Sequence, residues 1–170
     1  FLARHPHIHL RINSATRREV VRRVVIGEAD MGIVAHDDMD DQLDFEGLFV
    51  YDRALITPKD HPLLEEPLES LNQIAKWPLI LMGPGTHTRE MLEAELRRHG
   101  VEYEIIVELD SLDMIKRYVA LGMGVSVGPK LAIDPQDEHE LGVVSLAHLL
   151  PFEHGGIITP RGKRLSPAAE

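Results

Sequence analysis

Residues 110–129 combine a capped amphipathic helix, a glycine stop and a very short apolar strand, in that order. Asp110 or Ser111 is suited to cap the helix, and apolar residues recur at three- and four-residue spacings as far as Leu121. Gly122 predicts the helix end, because glycine adopts the left-handed conformation there at little cost. Residues 125–127 are too few for anything except a buried strand or a crossing between two lobes.

Two enzyme motifs resemble parts of this segment, and both fail on the order of its elements. Residues 124–128 (GVSVG) fit the G-x-S-x-G pattern of a nucleophile elbow, which needs a strand before the serine and a helix after it. Here the helix comes first and Pro129 follows at once. Gly122, Gly124 and Gly128 also lack the spacing of a dinucleotide-binding turn. We interpret Ser126 as a strand residue between two breaks.

Strand-like and helix-like segments alternate along the chain. This alternation is typical of an α/β fold with a mostly parallel sheet, covered by helices and built from right-handed crossovers. The helices are predicted at residues 16–26, 67–76 and 86–99 and from residue 110 or 111, and the strands at residues 7–12, 31–35, 47–51, 54–57, 79–82, 103–109, 125–127, 142–146 and 156–159.

Composition excludes several classes of function. The net charge of −10 leaves the chain without the basic face that neutralises nucleic-acid phosphates. The absence of cysteine excludes disulfides and cysteine-based zinc sites, and the apolar runs fall far short of the ~20 residues that a membrane helix needs. A length of 170 residues suffices for one domain or two small lobes. We predict no membrane partner and no cofactor.

Two clusters have the residue types of metal ligands. His5, His7 and His9 alternate on a predicted strand and so share one face, but a metal ion needs further ligands. The acidic residues between positions 37 and 41 lack the glycine and terminal glutamate of a calcium loop. We interpret the histidines as surface or core residues and the acidic cluster as a solvated surface turn, and we predict no metal site.

Three polar turns lie between the end of a predicted strand and the start of a predicted helix. In open α/β sheets small ligands bind at this edge, where free N–H groups and helix dipoles favour anions. Alternatively, each hydroxyl simply caps its own helix, which is the commoner use of such residues. Because three turns share this position, we favour a ligand cleft. The candidate ligand-binding residues are Ser14, Ala15, Thr16, Gly85, Thr86, His87, Thr88, Asp110 and Ser111.

Short matches in a fixed order point to a family. They are PHIHL at residues 6–10, VVIGEADMGI at 24–33, HPL at 61–63, WPLI at 77–80, the turn at 85–89, VALGMGV at 119–125 with Pro129, and LSPAA at 165–169. In this order the chain resembles the effector-binding domain of LysR-type transcriptional regulators. Residues 114–119 and 132–135 are most similar to the CysB/Cbl branch, which senses sulfate and metabolites of sulfur assimilation.

The resemblance implies two Rossmann-like lobes of the type 2 periplasmic-binding-protein kind, joined by two crossover strands. Lobe I would comprise residues 1–55 and 130–170, and lobe II would comprise residues 56–129. The family's N-terminal winged helix-turn-helix domain is absent from this chain, which we expect to be clipped at both ends. The implied hinge residues are Leu55, Ile56, Thr57, Val125, Ser126 and Val127.

The function implied by the resemblance is cytoplasmic sensing without catalysis. A small effector would bind between the lobes, favour one orientation and change the geometry of DNA-bound oligomers. The implied partners are sulfate, an acetylserine-like metabolite or an organic acid, further copies of the chain (a dimer of effector domains, a tetramer at full length), and DNA only through the missing domain. Arg18 and Glu19 replace a hydroxyl and an amide of CysB-like proteins, which argues against a site specific for sulfate. Asp110 would also repel a bare anion, so we keep an organic effector as an equal alternative to sulfate.

Two other function classes stay open. A solute-binding receptor has the same two-lobed build and would carry a secretion signal upstream. An enzyme on this fold would need a reactive group such as the hydroxyl of Ser126.

Overall fold

The computed structural model describes residues 3–35 and 40–162. The chain forms two compact units, of which unit 1 comprises Phe1–Phe49 and His154–Glu170 and unit 2 comprises Val50–Glu153. Two features of the sequence, the acidic pair Asp37 and Asp38 and the LSPAA match at 165–169, lie outside the described residues.

Helices and strands alternate in the described ranges, as expected for an α/β protein. The helices are α1 (Arg17–Val25), α2 (Leu71–Ala75), α3 (His87–Arg98) and α4 (Leu112–Ala120). The strands are β1 (Gly32–Ala35), β2 (Leu43–Tyr51), β3 (Arg53–Pro58), β4 (Leu79–Met82), β5 (Ile105–Leu109), β6 (Ser126–Pro129), β7 (Leu141–Ser145) and β8 (Glu153–Pro160).

Unit 1 contains a three-stranded sheet in the order β1-β8-β2, with α1 packed against it. Strand β1 runs antiparallel to β8, with Gly32 opposite Ile158. The valine stripe of α1 supplies its apolar face, and Gly27 ends the helix with a φ of 78° that glycine adopts without strain. The buried residues of this core are Val24, Val34, Leu43 and Ile158.

The strand predicted at residues 7–12 is not formed. These residues have no regular secondary structure, and the side chains of Leu10 and Ile12 are 58% and 88% exposed. A strand persists only where a neighbour accepts and donates its backbone hydrogen bonds. Within the described residues no strand pairs with this segment, so alternation of residue types alone does not make it a strand.

Unit 2 contains the sheet β6-β3-β7 and the parallel pair β4-β5. The two are linked where Leu79 bridges to Val125, and the N–H of Ile80 donates to the carbonyl oxygen of Val125 at 2.9 Å. A side chain at Gly124 would overlap the carbonyl oxygen of Pro78, so this approach of backbones requires glycine.

The strand pairing is mixed instead of mostly parallel, which corrects the prediction. Strands β6 and β7 both run antiparallel to β3, and β1 runs antiparallel to β8. The alternation of helices and strands fixed the class, but it could not reveal that the chain returns after β6 to place β7 beside β3.

Two strands, β2 and β8, carry the chain between the units, at residues 49/50 and 153/154. The role of the predicted hinge residues stays a prediction. Residues 55–57 belong to β3, and Val125, Ser126 and Val127 lie on or beside β6, so both sets are inside unit 2. The compact units therefore have other boundaries than the predicted lobes, because β7 pairs with β3 and keeps residues 141–145 in unit 2.

Candidate functional site

The turns after β4 and β5 meet at one edge of unit 2. The two strands are parallel neighbours, with Met82 opposite Leu109, so their carboxyl ends point the same way. The N–H of Gly83 donates to the carbonyl oxygen of Leu109 at 3.1 Å. A Cβ built at Gly83 would lie 3.0 Å from Oδ1 of Asp110, which shows how closely the turns approach. We call Gly83, Gly85, Thr86, His87, Thr88, Asp110 and Ser111 the turn cluster.

Two helices begin in the turn cluster without a side-chain cap. Thr86 and Ser111 occupy the N-cap positions of α3 and α4, and neither side chain accepts a hydrogen bond from its helix. The hydroxyl of Thr86 instead donates to the carbonyl oxygen of Gly83 at 3.0 Å. Neither helix start is therefore capped by the side chain at its own N-cap position, and the helix dipoles favour a negative group there.

The carboxylate of Asp110 sets a condition on that ligand. Asp110 is exposed, and no hydrogen bond or ion pair within the described residues engages its side chain. Its charge opposes a bare anion that lies close to it, but it accepts hydrogen bonds from an ammonium or hydroxyl group. The cluster thus combines donors and an acceptor at one edge.

Thr16, the candidate in unit 1, serves as a helix cap. Its Oγ1 accepts from the N–H of Glu19 at 3.4 Å, and residues 14–16 are exposed at the start of α1. The hydrogen bonds that Arg22 and then Arg23 donate to Glu19 lower the pKa of its carboxyl from 4.5 to about 2. Glu19 is thereby engaged within its own helix.

A buried ionic network behind the turn cluster was not predicted. Nη2 of Arg53 lies 2.9 Å from Oε1 of Glu153, and Nε2 of His87 lies 2.8 Å from Oε2 of the same carboxylate. Arg53 is fully buried and its Nη1 donates to the carbonyl oxygen of Pro151 at 3.0 Å. Burial raises the pKa of the nearby Tyr51. The basic and acidic partners are far apart in sequence, and no local pattern connects them.

Arg89 also holds the loop before α3. Its Nη1 donates to the carbonyl oxygen of Met82 at 3.0 Å, and its Nη2 and Nε pair with Glu108 and Glu93 at 2.8 and 2.9 Å. Although burial opposes its charge, these two carboxylates raise the pKa of Arg89 above its ordinary value. Its donors are thus taken by the protein, so Arg89 is a support of the loop and not a ligand-binding cation.

Ser126 does not form a nucleophile elbow. It is fully buried on β6, and its Oγ has no hydrogen-bond partner within the described residues. A hydrolytic serine needs access to substrate and a neighbouring base. Its neighbours Val125 and Val127 belong to the core beneath α3.

A shallow depression of about 550 Å³ lies on unit 2 outside the turn cluster. It is open to solvent and none of its polar lining groups is buried, so it lacks the convergent polar groups of a ligand site. Its lining residues are Pro58, Lys59, Asp60, Arg117, Ala120, Leu121 and Glu140.

The described ranges contain neither a metal-binding cluster nor a membrane-spanning helix. No group of three or more His, Asp or Glu side chains there is placed to hold a metal ion. Likewise, none of the described helices has the length and apolar character needed to cross a membrane.

The sequence is similar to one family along its whole length. A sequence model of the family described as LysR substrate binding domain matches residues 1–170. The HTH-type transcriptional regulator CysB of Burkholderia cenocepacia is 30% identical over 151 residues, 88% of this chain and 48% of that protein. The HTH-type transcriptional regulator Cbl of Escherichia coli K12 is 32% identical over 145 residues, 85% of this chain and 46% of that protein. The chain spans about half the length of these curated relatives.

Solved structures show the same fold. The crystal structure of the cofactor-binding domain of the Cbl transcriptional regulator has a TM-score of 0.79 at 31% identity, covering 90% of this chain and 68% of that chain. The regulatory domain of Synechocystis PCC6803 CcmR, in complex with 2-PG, has a TM-score of 0.85 at 22% identity, covering 99% of this chain and 81% of that chain.

Proposed function

The chain belongs to the LysR substrate-binding domain family, and from this membership we propose that it is the effector-sensing part of a LysR-type transcriptional regulator. The effector contacts the turn cluster of unit 2. Residues 14–16 of unit 1 stay predicted effector contacts. The full-length protein acts on DNA through a separate helix-turn-helix domain, as the names of its relatives suggest. Its assembly as a homo-oligomer stays a prediction.

One observation carries the proposal. Helices α3 and α4 both begin at the turn cluster, and neither start is capped by the side chain at its N-cap position. Capping residues normally satisfy such N–H groups, since an uncapped helix start costs about 1 kcal/mol. Two uncapped starts at the same sheet edge favour a ligand that accepts these hydrogen bonds when it binds.

The effector is a small organic acid that also carries a hydrogen-bond donor. Its acidic group accepts from the helix starts, and its ammonium or hydroxyl group donates to Asp110. A bare sulfate satisfies the first condition and is repelled under the second. An acetylserine-like metabolite of sulfur assimilation meets both, which agrees with the similarity to CysB and Cbl.

The test is a binding measurement on the 170-residue chain with three probes: sulfate, O-acetylserine and benzoate. We expect O-acetylserine to raise the thermal midpoint of the wild-type chain, because a ligand that binds only the folded state stabilises it. Asp110→Asn removes the acceptor charge and weakens O-acetylserine binding about 10-fold, the factor that corresponds to ~1.4 kcal/mol. The same change strengthens sulfate binding.

Asp60→Asn is the matched control, because Asp60 is an exposed aspartate of unit 2 that lines the shallow depression instead of the turn cluster. It leaves the affinity for all three probes unchanged. If no probe raises the midpoint, or if the two variants behave alike, the turn cluster is not the effector site.

A further inference from the structure

Glu153 is held from two sides by elements that sit at different places in unit 2. One carboxylate oxygen contacts Arg53, the first residue of β3, and the other contacts His87, the first residue of α3. Both Glu153 and Arg53 are buried, and the side chain of His87 is 21% exposed. A carboxylate with a separate partner on each oxygen fixes both partners at once.

These contacts lie where the chain leaves unit 2. Glu153 is the last residue of unit 2 and the first residue of β8, which is the central strand of the unit 1 sheet. Arg53 follows shortly after the other crossing, which lies at residues 49/50 within β2. The Arg53–Glu153 pair therefore clamps both crossing strands at their unit 2 ends. His87 connects this clamp to the turn cluster.

We propose that Glu153 is a positioning residue that couples the turn cluster to the two crossing strands through its contact with His87. The inference rests on the proposed function, since it assigns the turn cluster as the place where the effector acts. An effector that draws His87 away from Glu153 loosens the clamp, and an effector that leaves the contact in place preserves it.

The coupling is reciprocal. A change of the clamp that alters the state of the turn cluster must alter effector affinity by the same factor as the effector alters the clamp. The link is local, since it consists of one 2.8 Å contact between the side chains of His87 and Glu153 and a buried ion pair behind it. It therefore breaks on a single substitution that leaves the ion pair intact.

His87→Phe is that substitution. It keeps a ring of similar size and removes the ring nitrogen that contacts Glu153, while the Arg53–Glu153 pair remains. His87→Gln is the rescue variant, because its side-chain amide restores a donor at a similar reach. His99→Phe is the matched control, because His99 is an exposed histidine at the opposite end of α3.

The readout is amide hydrogen exchange of the 170-residue chain without ligand, which reports local opening segment by segment. In His87→Phe, we expect exchange to rise about 10-fold both in residues 83–90 and in the crossing segments 50–54 and 153–156. Exchange around the buried Leu92 and Leu96 of α3 stays unchanged. His87→Gln restores wild-type exchange in all these segments, and His99→Phe alters none of them.

Three results would overturn the inference: a rise confined to residues 83–90, an equal rise across unit 2, or failure of His87→Gln to restore exchange. The first shows no coupling, the second shows general destabilisation, and the third assigns the effect to something other than the donor. The measurement needs no effector. If O-acetylserine, sulfate and benzoate all fail to bind the wild-type chain, the proposed function fails while the coupling of the segments is still decided.

Discussion

Replacing Arg53 with methionine tests how much the buried ion pair contributes to folding. Arg53 is fully buried, its Nη2 pairs with Glu153 at 2.9 Å, and its Nη1 donates to the carbonyl oxygen of Pro151 at 3.0 Å. Methionine fills a similar volume without charge. The variant therefore leaves the carboxylate of Glu153, which is 8% exposed, without its compensating cation.

The expected cost follows from that burial. Breaking a buried ion pair on one side destabilises proteins by about 3–5 kcal/mol. For a chain of this length, 1 kcal/mol corresponds to about 2–4 °C in the thermal midpoint, so we expect a fall of about 6–20 °C. His87 remains near the carboxylate but does not replace the cation, because a histidine carries a charge only when it is protonated, whereas arginine is always charged.

Urea denaturation followed by circular dichroism measures the effect as a change in midpoint at constant slope. Arg98→Met is the control, because Arg98 is largely exposed and its pair with Glu95 is a surface pair worth at most about 1 kcal/mol. The double variant Arg53→Met with Glu153→Leu removes both charges and recovers most of the loss. A loss below about 1 kcal/mol in the single variant, or a double variant less stable than the single one, would refute the reasoning.

Three further changes test other parts of the structure. Gly156→Ala lowers the free energy of unfolding by about 1–3 kcal/mol, because its Cβ would overlap a backbone oxygen of β2. Gly47→Ala on β2 is the neutral control, because its Cβ meets nothing closer than 3.6 Å, and the urea midpoints of the two variants are compared. Ser126→Ala raises stability by about 1 kcal/mol in the same assay, since a buried hydroxyl without a partner is removed; a loss would reveal a partner. The hydrogen bond from Lys116 lowers the pKa of Asp137, so this pair stabilises the fold above the usual carboxyl pKa. The stabilisation is lost as the pH falls through the lowered pKa, and Asp137→Asn therefore flattens the decline in urea midpoint between neutral pH and about pH 3.

The sequence resemblance to LysR-type regulators was confirmed, and local signals explain why much of the fold was predictable. Helix α4 was expected from its spacing and from Gly122, and its observed end at Ala120 precedes that glycine, which has a φ of 78°. The strand at residues 79–82 was predicted with its observed bounds. The turns after β4 and β5 meet because carboxyl ends of parallel neighbours share an edge, and the role predicted for their residues stays a prediction.

Predictions that depended on pairing partners were less successful. Residues 7–12 alternate like a strand and are not one, and the strand pairing is mixed where alternation predicted a mostly parallel sheet. Alternation states which side chains share a face, but it does not state which strand supplies the hydrogen bonds.

The sequence by itself determined the α/β class, most helix ends and the position of the polar turns, because each depends on residues that are close together in the chain. It also determined the family, through short matches that keep a fixed order along the chain. Tertiary structure alone decided the mixed strand pairing, the two crossing strands and the network of Arg53, His87 and Glu153. Arg53 donates to the carbonyl oxygen of a residue 98 positions later in the chain, and contacts at such separations depend on how the whole chain folds. Burial then decides the energy of these contacts. An ion pair at the surface contributes little to stability, whereas a buried charge without a partner destabilises the fold.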